Sequence, residues 1–235
     1  MLSTRHHVVA LIFPGFNILD LTGPSEVLAN GFMPEPIPRV LVASATENTT
    51  SAEGITVKRD ISFVELLSQQ MDGTCELFRF DIVLVPGAAP EAIEHEMNEN
   101  HNLLKIVSTF AAFDGQQRQR WLFSVCTGAG FLGHQGILAG KTATTHWSYL
   151  DALQELCRHA LGEKATIVKK RWVDAGKTAS GVRVITSGGV SCGIDAALWM
   201  ISQLFDMERA SAIAKGMDYV WCFENSDAIS ARIIH

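Results

Sequence analysis

The first residue in this chain whose setting suggests chemistry is a cysteine placed directly after a short apolar run. Cys126 follows Trp-Leu-Phe-Ser-Val and is succeeded at once by Thr-Gly-Ala-Gly. Small residues at those places let a helix pack close behind a strand, so the spacing predicts a strand-to-helix elbow with sulfur as nucleophile. A helix N-terminus there favours the thiolate, and on that argument no general base is required to ionise it. The competing reading is a small buried hydrophobe, the commonest role of an isolated cysteine. Asp20 is the second candidate, a carboxylate within Ile18-Leu19-Asp20-Leu21. It reads as a helix cap or solvated loop acid, or else as an acid–base partner of Cys126. Beside a thiolate its pKa is expected to rise, leaving it protonated and able to donate or relay a proton.

Two glycine-bearing turns follow apolar runs in the same way, Pro86 to Pro90 (Pro-Gly-Ala-Ala-Pro) and Ser187 to Ser191 (Ser-Gly-Gly-Val-Ser). The amides of Gly87 and Ala88, with those following Cys126, are expected to form an oxyanion-type cradle over the sulfur. Gly188 and Gly189 offer exposed amides in the same sense, or simply a strand-to-helix connection. His146, in Thr-Thr-His-Trp, is an accessory candidate that could pair with the cysteine; the plainer reading is a capping or surface residue. Cys192 opens a helix and could also be reactive, but it is paired with no acid in this reading, and Cys75, Cys157 and Cys222 read as structural. No P-loop, no Gly-x-Gly-x-x-Gly after a strand and no metal-ligand triad is present, so neither a metal nor an organic cofactor is expected.

These residues need elements to hold them. HVVALIF, PRVLVASAT, FDIVLV and WLFSV read as strands, the first, third and fourth without polar alternation, as in a parallel sheet covered on both faces. ITVKR reads as a further short strand, and KKRWVDAGKTASGVRVITSGG as a hairpin. Helices are predicted around Pro24 to Asn30, over FVELLSQQM, PEAIEHEM and NLLKIVSTFAAF, in the small-residue stretch after Cys126, and over HWSYLDALQELCRHAL. SCGIDAALWMISQLF reads as a buried helix capped by Ser191, and MERASAIAKGMDYVWCF as the last. Strands alternating with helices indicate βαβ units and a mostly parallel sheet. Such sheets bind ligands beyond the carboxyl ends of their strands, where the candidates above fall.

Composition narrows the function classes. The chain has 235 residues, 47% hydrophobic and 19% charged, with a net charge of −6, which suits one α/β domain over 1–235 and argues against nucleic-acid or anionic-membrane binding. The five cysteines are spaced 30 or more residues apart with no Cys-x-x-Cys pair. A disulfide framework is therefore not expected, and a reducing, cytoplasmic setting is. The apolar run Val8 to Phe13 ends at Pro14-Gly15 and is too short for a signal peptide core or a membrane span.

Taken together, VVALIFPGFNILDLTGPSEVL, VLVPG, SVCTGAGFLGHQGILAGKTATTHW and ITSGGVSCGIDAALW resemble the ThiJ/PfpI superfamily, whose domains are of the class I glutamine amidotransferase-like type, and within it the isocyanide (isonitrile) hydratases. The resemblance implies a flavodoxin-like three-layer α/β/α sandwich, a homodimer and a small-molecule substrate. It implies Cys126 as nucleophile, Asp20 as its partner and Thr127 as the residue after the nucleophile. Ala88 stands where the superfamily usually has a second glycine, which restricts the backbone and narrows the site. Related domains form the sensor half of AraC-type regulators, but the expected last helix leaves only a dozen residues before His235, too few for a DNA-binding domain. The expected activity is hydration of an isocyanide to an N-substituted formamide through a Cys126 thioimidate. The alternatives are glyoxalase-like action on an α-oxoaldehyde and a ligand or oxidant sensor built on the thiol.

Overall fold

The computed structural model describes residues 7–33, 40–69, 75–159 and 163–223. In chain order these form β1 (Val8–Leu11), α1 (Ile18–Gly31), β2 (Val40–Ser44), β3 (Asn48–Thr50), β4 (Thr56–Lys58), β5 (Ile61–Ser62) and α2 (Phe63–Leu67). After them come β6 (Ile82–Val85), α3 (Pro90–Glu99), α4 (His101–Ala111), β7 (Trp121–Val125), α5 (Ala129–His134) and β8 (Thr142–Ala143). The remainder is α6 (Leu150–His159), β9 (Thr166–Ile167), β10 (Trp172–Lys177), β11 (Arg183–Ser187), α7 (Cys192–Leu204) and α8 (Met207–Gly216). The predicted start of the second strand at Pro38, the end of the FVELLSQQM helix and Ala160–Leu161 lie outside the described residues.

Seven strands make one sheet in the order β10-β11-β7-β6-β1-β2-β5. Every pairing is parallel except that of β10 with β11, the predicted hairpin. Helices α1, α7 and α8 pack together as one layer, and α3 to α6, with α2 against α4, as another. This is the expected flavodoxin-like sandwich. Apolar helices on both faces explain why β1, β6 and β7 are buried at every position. The register sets Val85 beside Ser124 and Val125 beside Ser187, so β6, β7 and β11 end side by side.

Several expectations change in detail. Helix α1 begins at Ile18, six residues before Pro24, because Asn17 caps it by accepting from the Leu19 and Asp20 amides. Pro24 therefore lies inside the helix, where it packs within close reach of Gly193, and the neighbouring Gly23 lies against Ile194. That tight α1–α7 contact offsets the hydrogen bond the proline removes. Ser191 occupies the cap position of α7 but its side chain makes no capping bond. The ITVKR segment pairs not with the main sheet but with β3, as a separate hairpin.

A buried ion pair with no local sequence signal ties the hairpin to α7. Arg171, just before β10, donates from Nε to Asp195 Oδ2 at 2.6 Å, and the two side chains are 4% and 0% exposed. Asp195 Oδ1 accepts from the Cys222 amide at 3.0 Å, which fastens the chain beyond α8. Arg171→Met strands a buried carboxylate and is expected to lower unfolding stability by about 3–5 kcal/mol in a denaturant titration. Adding Asp195→Asn should recover much of that loss.

Candidate active site

The elbow is present. Cys126 has φ 58, a left-handed conformation rare for a side-chain-bearing residue, held between β7 and a short turn that leads into α5. Glycine at 128 is required, since a Cβ there would come within 2.4 Å of the Val85 carbonyl oxygen. The Thr145 hydroxyl donates to the Cys126 carbonyl at 2.7 Å and ties the elbow to the Thr-Thr-His-Trp segment.

Asp20 sits in the first turn of α1, fully buried. Its Oδ2 accepts from the Gly87 amide at 3.0 Å. Its Oδ1 is buried without an aligned hydrogen-bond partner, and the side chain that bears on the carboxyl is the Cys126 thiol. Burial raises the Asp20 pKa from 3.8 to about 7, against the opposing pull of the Gly87 amide and the thiol. The rise was expected; its main cause is desolvation rather than a neighbouring thiolate.

The thiol departs from expectation. Burial, and then the charge of Asp20, push it well above the ordinary cysteine range, more than the Thr127 amide and hydroxyl can offset. Cys126 is only 6% exposed, and the turn after it is too short to supply the dipole of a long helix. Both effects favour the neutral thiol over the thiolate that the helix dipole was expected to stabilise. The Asp20 carboxyl is the titratable group set beside the thiol, and each bears on the other's ionisation.

The expected oxyanion cradle is also different. The Gly87 amide is committed to Asp20, and the Ala88 amide donates to Thr127 Oγ1 at 2.8 Å. The Thr127 hydroxyl in turn bonds the Ala88 carbonyl at 2.6 Å. This turn serves the site by fixing Asp20 and Thr127, not by offering amides. Gly188 drops out as well, because its amide donates to the Arg171 carbonyl at 2.8 Å and it packs against Cys192. The donor left beside the sulfur is the Thr127 amide.

Gly189 does belong to the site. A Cβ built there would lie 2.8 Å from Cys126 Sγ and 2.3 Å from His146 Cδ2. Gly189→Ala must displace one of them, and iodoacetamide labelling of Cys126, followed by peptide mass spectrometry, is expected to slow by about tenfold or more. His146 accepts from the Ser148 amide through Nδ1 and lies 2.7 Å from its hydroxyl. Burial lowers its pKa, which favours the neutral ring. His146 lines the cavity beside Gly189, with Nδ1 turned to Ser148.

The sulfur opens into a cavity of about 230 Å³. Thr127, the Ala88–Pro90 turn, His146, Ser148, Val190, Asn17 and Ala52 line it with the thiol. None of these is formally charged. Asn17, Ala52 and Ser148 were missed from sequence; the Asn17-x-x-Asp20 spacing was the available cue for a helix start. Two larger cavities, between α1 and α8 and near Lys141, contain no cysteine. Among the described residues no group of three or more His, Cys, Asp or Glu side chains could hold a metal, and no helix is long and apolar enough to cross a membrane.

Known proteins resemble the chain over most of its length. An isonitrile hydratase from Pseudomonas putida is 32% identical over 209 residues, covering 89% of this chain and 76% of that protein. The crystal structure of a ThiJ/PfpI family protein from Pseudomonas syringae matches with a TM-score of 0.70 at 22% identity, over 92% of this chain and 75% of that one. Drosophila melanogaster DJ-1beta matches with a TM-score of 0.68 at 18% identity, over 92% and 100%. At such identities the two structures share the fold. Residues 6–203 match the model of the DJ-1/PfpI family, and the chain belongs to that family.

Proposed function

We propose that the protein is an isocyanide hydratase, a single-domain cytoplasmic homodimer that converts R–NC and water to R–NH–CHO. The observation that carries the reading is the pairing of the elbow thiol with a buried carboxyl whose pKa lies near 7. The likeness to an isonitrile hydratase over most of the chain supports it. Asp20 as carboxylate takes the Cys126 proton while sulfur bonds to the terminal isocyanide carbon. The same proton passes to that carbon, giving Cys–S–CH=N–R with no proton gained or lost overall. Asp20, again a carboxylate, then draws a proton from water as its oxygen bonds to the carbon, and the nitrogen takes that proton. The C–S bond breaks, the hydroxyl proton returns to the pair, and the formamide leaves. The Thr127 amide steadies charge on sulfur in both halves.

An uncharged lining suits a neutral R group, and the Ala88 methyl limits its size on one side. The test is formamide formation from a panel of alkyl and aryl isocyanides, followed by mass spectrometry. Turnover that iodoacetamide abolishes is expected. A reduced, folded protein that hydrates none of them overturns the reading, and methylglyoxal consumption without glutathione would point to glyoxalase-like chemistry instead. Light scattering reads the dimer.

A further inference from the structure

The β3–β4 hairpin, of which only the ITVKR strand was predicted, is bonded to the segment that carries Asp20. The Gly15 amide donates to the Thr50 carbonyl at 2.9 Å, and the Ala52 amide to the Phe16 carbonyl at 3.0 Å. At the hairpin tip Glu53 adds two side-chain bonds. Its Oε1 accepts from Asn17 Nδ2 at 2.8 Å and its Oε2 from the Ile18 amide at 3.0 Å. Asn17 is itself the cap of α1, its own amide donates to the Gly87 carbonyl at 2.8 Å, and the Gly87 amide donates to Asp20. A continuous run of hydrogen bonds thus leads from Glu53 through the first turn of α1 to the catalytic carboxyl. Ala52, one residue before Glu53, lines the cavity.

We infer that Glu53 is a positioning residue for the Cys126–Asp20 pair, pinning the cavity-lining hairpin to the first turn of α1 and fixing a negative charge close to Asp20. The inference rests on the pair invoked in the proposed function but not on the identity of the substrate. Burial acts against ionisation of Glu53, but the Ile18 amide and the Ser51 hydroxyl outweigh it and hold its carboxyl below the usual range, so it stays charged. The titratable groups that bear on Asp20 are Cys126 on the elbow, Glu53 on the hairpin and Cys192 on α7. Of these, Glu53 is the one charged at neutral pH, and its charge favours the protonated form of Asp20. A carboxylate at this place also complements the unpaired amides that open α1.

The pH dependence of Cys126 alkylation by iodoacetamide, read by peptide mass spectrometry, tests this without any isocyanide. Glu53→Gln keeps one acceptor and removes the charge. The alkylation midpoint should move to lower pH by about 0.5 at low salt, a roughly threefold faster reaction on the acid side, and by less at high salt. Glu53→Asp, which keeps the charge, should hold the wild-type midpoint. Glu53→Ala should share the Gln shift and also speed hydrogen exchange at the Gly15 and Ala52 amides. A wild-type midpoint in Glu53→Gln at low salt, or unchanged exchange at those amides in Glu53→Ala, overturns the inference. Failure of the protein to hydrate isocyanides leaves both readouts intact and counts only against the proposed reaction.

Discussion

Cys126→Ala is expected to bring formamide production down to the uncatalysed background, a loss of at least about ten-thousandfold. The covalent route offers nothing to replace the sulfur, since Asp20 alone can move a proton but cannot hold the isocyanide carbon. Cys126→Ser should fare little better. Asp20, with a pKa of about 7, is too weak a base to take a proton from an alcohol, whereas a thiol lies closer to its reach. Misfolding would not explain the loss. Alanine keeps the Cβ and inherits the same φ of 58, so it removes one buried sulfur at about 1 kcal/mol. Cys126→Gly is the control for backbone strain: it accepts the left-handed conformation and should gain about 1 kcal/mol at the elbow, yet remain inactive. Turnover by the alanine protein above background would remove Cys126 from the mechanism.

The parts of the fold that were legible from sequence are those whose burial is uniform. β1, β6 and β7 are apolar at nearly every position because both faces are covered, and their abrupt ends at Pro14, Pro86 and Cys126 marked the edge where the site lies. Asp20 and Cys126 could be paired because each follows one of those ends. What the sequence hid was the use of each polar group. Nothing in Pro-Gly-Ala-Ala shows that its two amides already have acceptors in Asp20 and Thr127, since those partners lie 67 and 39 residues away. The Arg171–Asp195 pair spans 24 residues, and neither residue lies in a charge pattern. The β3 half of the β3–β4 hairpin and its tip were unreadable for another reason. Asn-Thr-Thr-Ser-Ala-Glu-Gly lacks an apolar face, and this part of the hairpin is held by backbone and side-chain hydrogen bonds to the loop after β1. The dipole argument for a thiolate left out desolvation, which acts against the charged form of a thiol only 6% exposed.

Asp20→Asn is expected to separate activity from stability in opposite directions. Without the carboxylate the thiol has no base, and kcat/KM for an isocyanide should fall by about a hundredfold to ten-thousandfold. In the wild type kcat/KM should rise with pH through about 7, as the Cys126–Asp20 pair loses the first of its two protons and becomes competent to attack. That rise should be absent from the residual rate of the variant. Stability runs the other way. The folded state holds the Asp20 proton up to about pH 7, whereas an ordinary carboxyl releases it near 3.8. The folded protein therefore binds more protons than the unfolded chain between those values, and wild-type stability declines as pH rises through that window. Above about pH 7 the full penalty of a buried charge is present, on the order of 4 kcal/mol. An asparagine can turn its carbonyl to the Gly87 amide and carries no charge, so it escapes that penalty. Thermal melts should show the two proteins with similar Tm near pH 4 and the variant higher by about 10 °C near pH 8. Parallel Tm curves across that range would mean that Asp20 is not held protonated by burial, and the account of the pair as a one-proton couple poised near neutrality would fail with it.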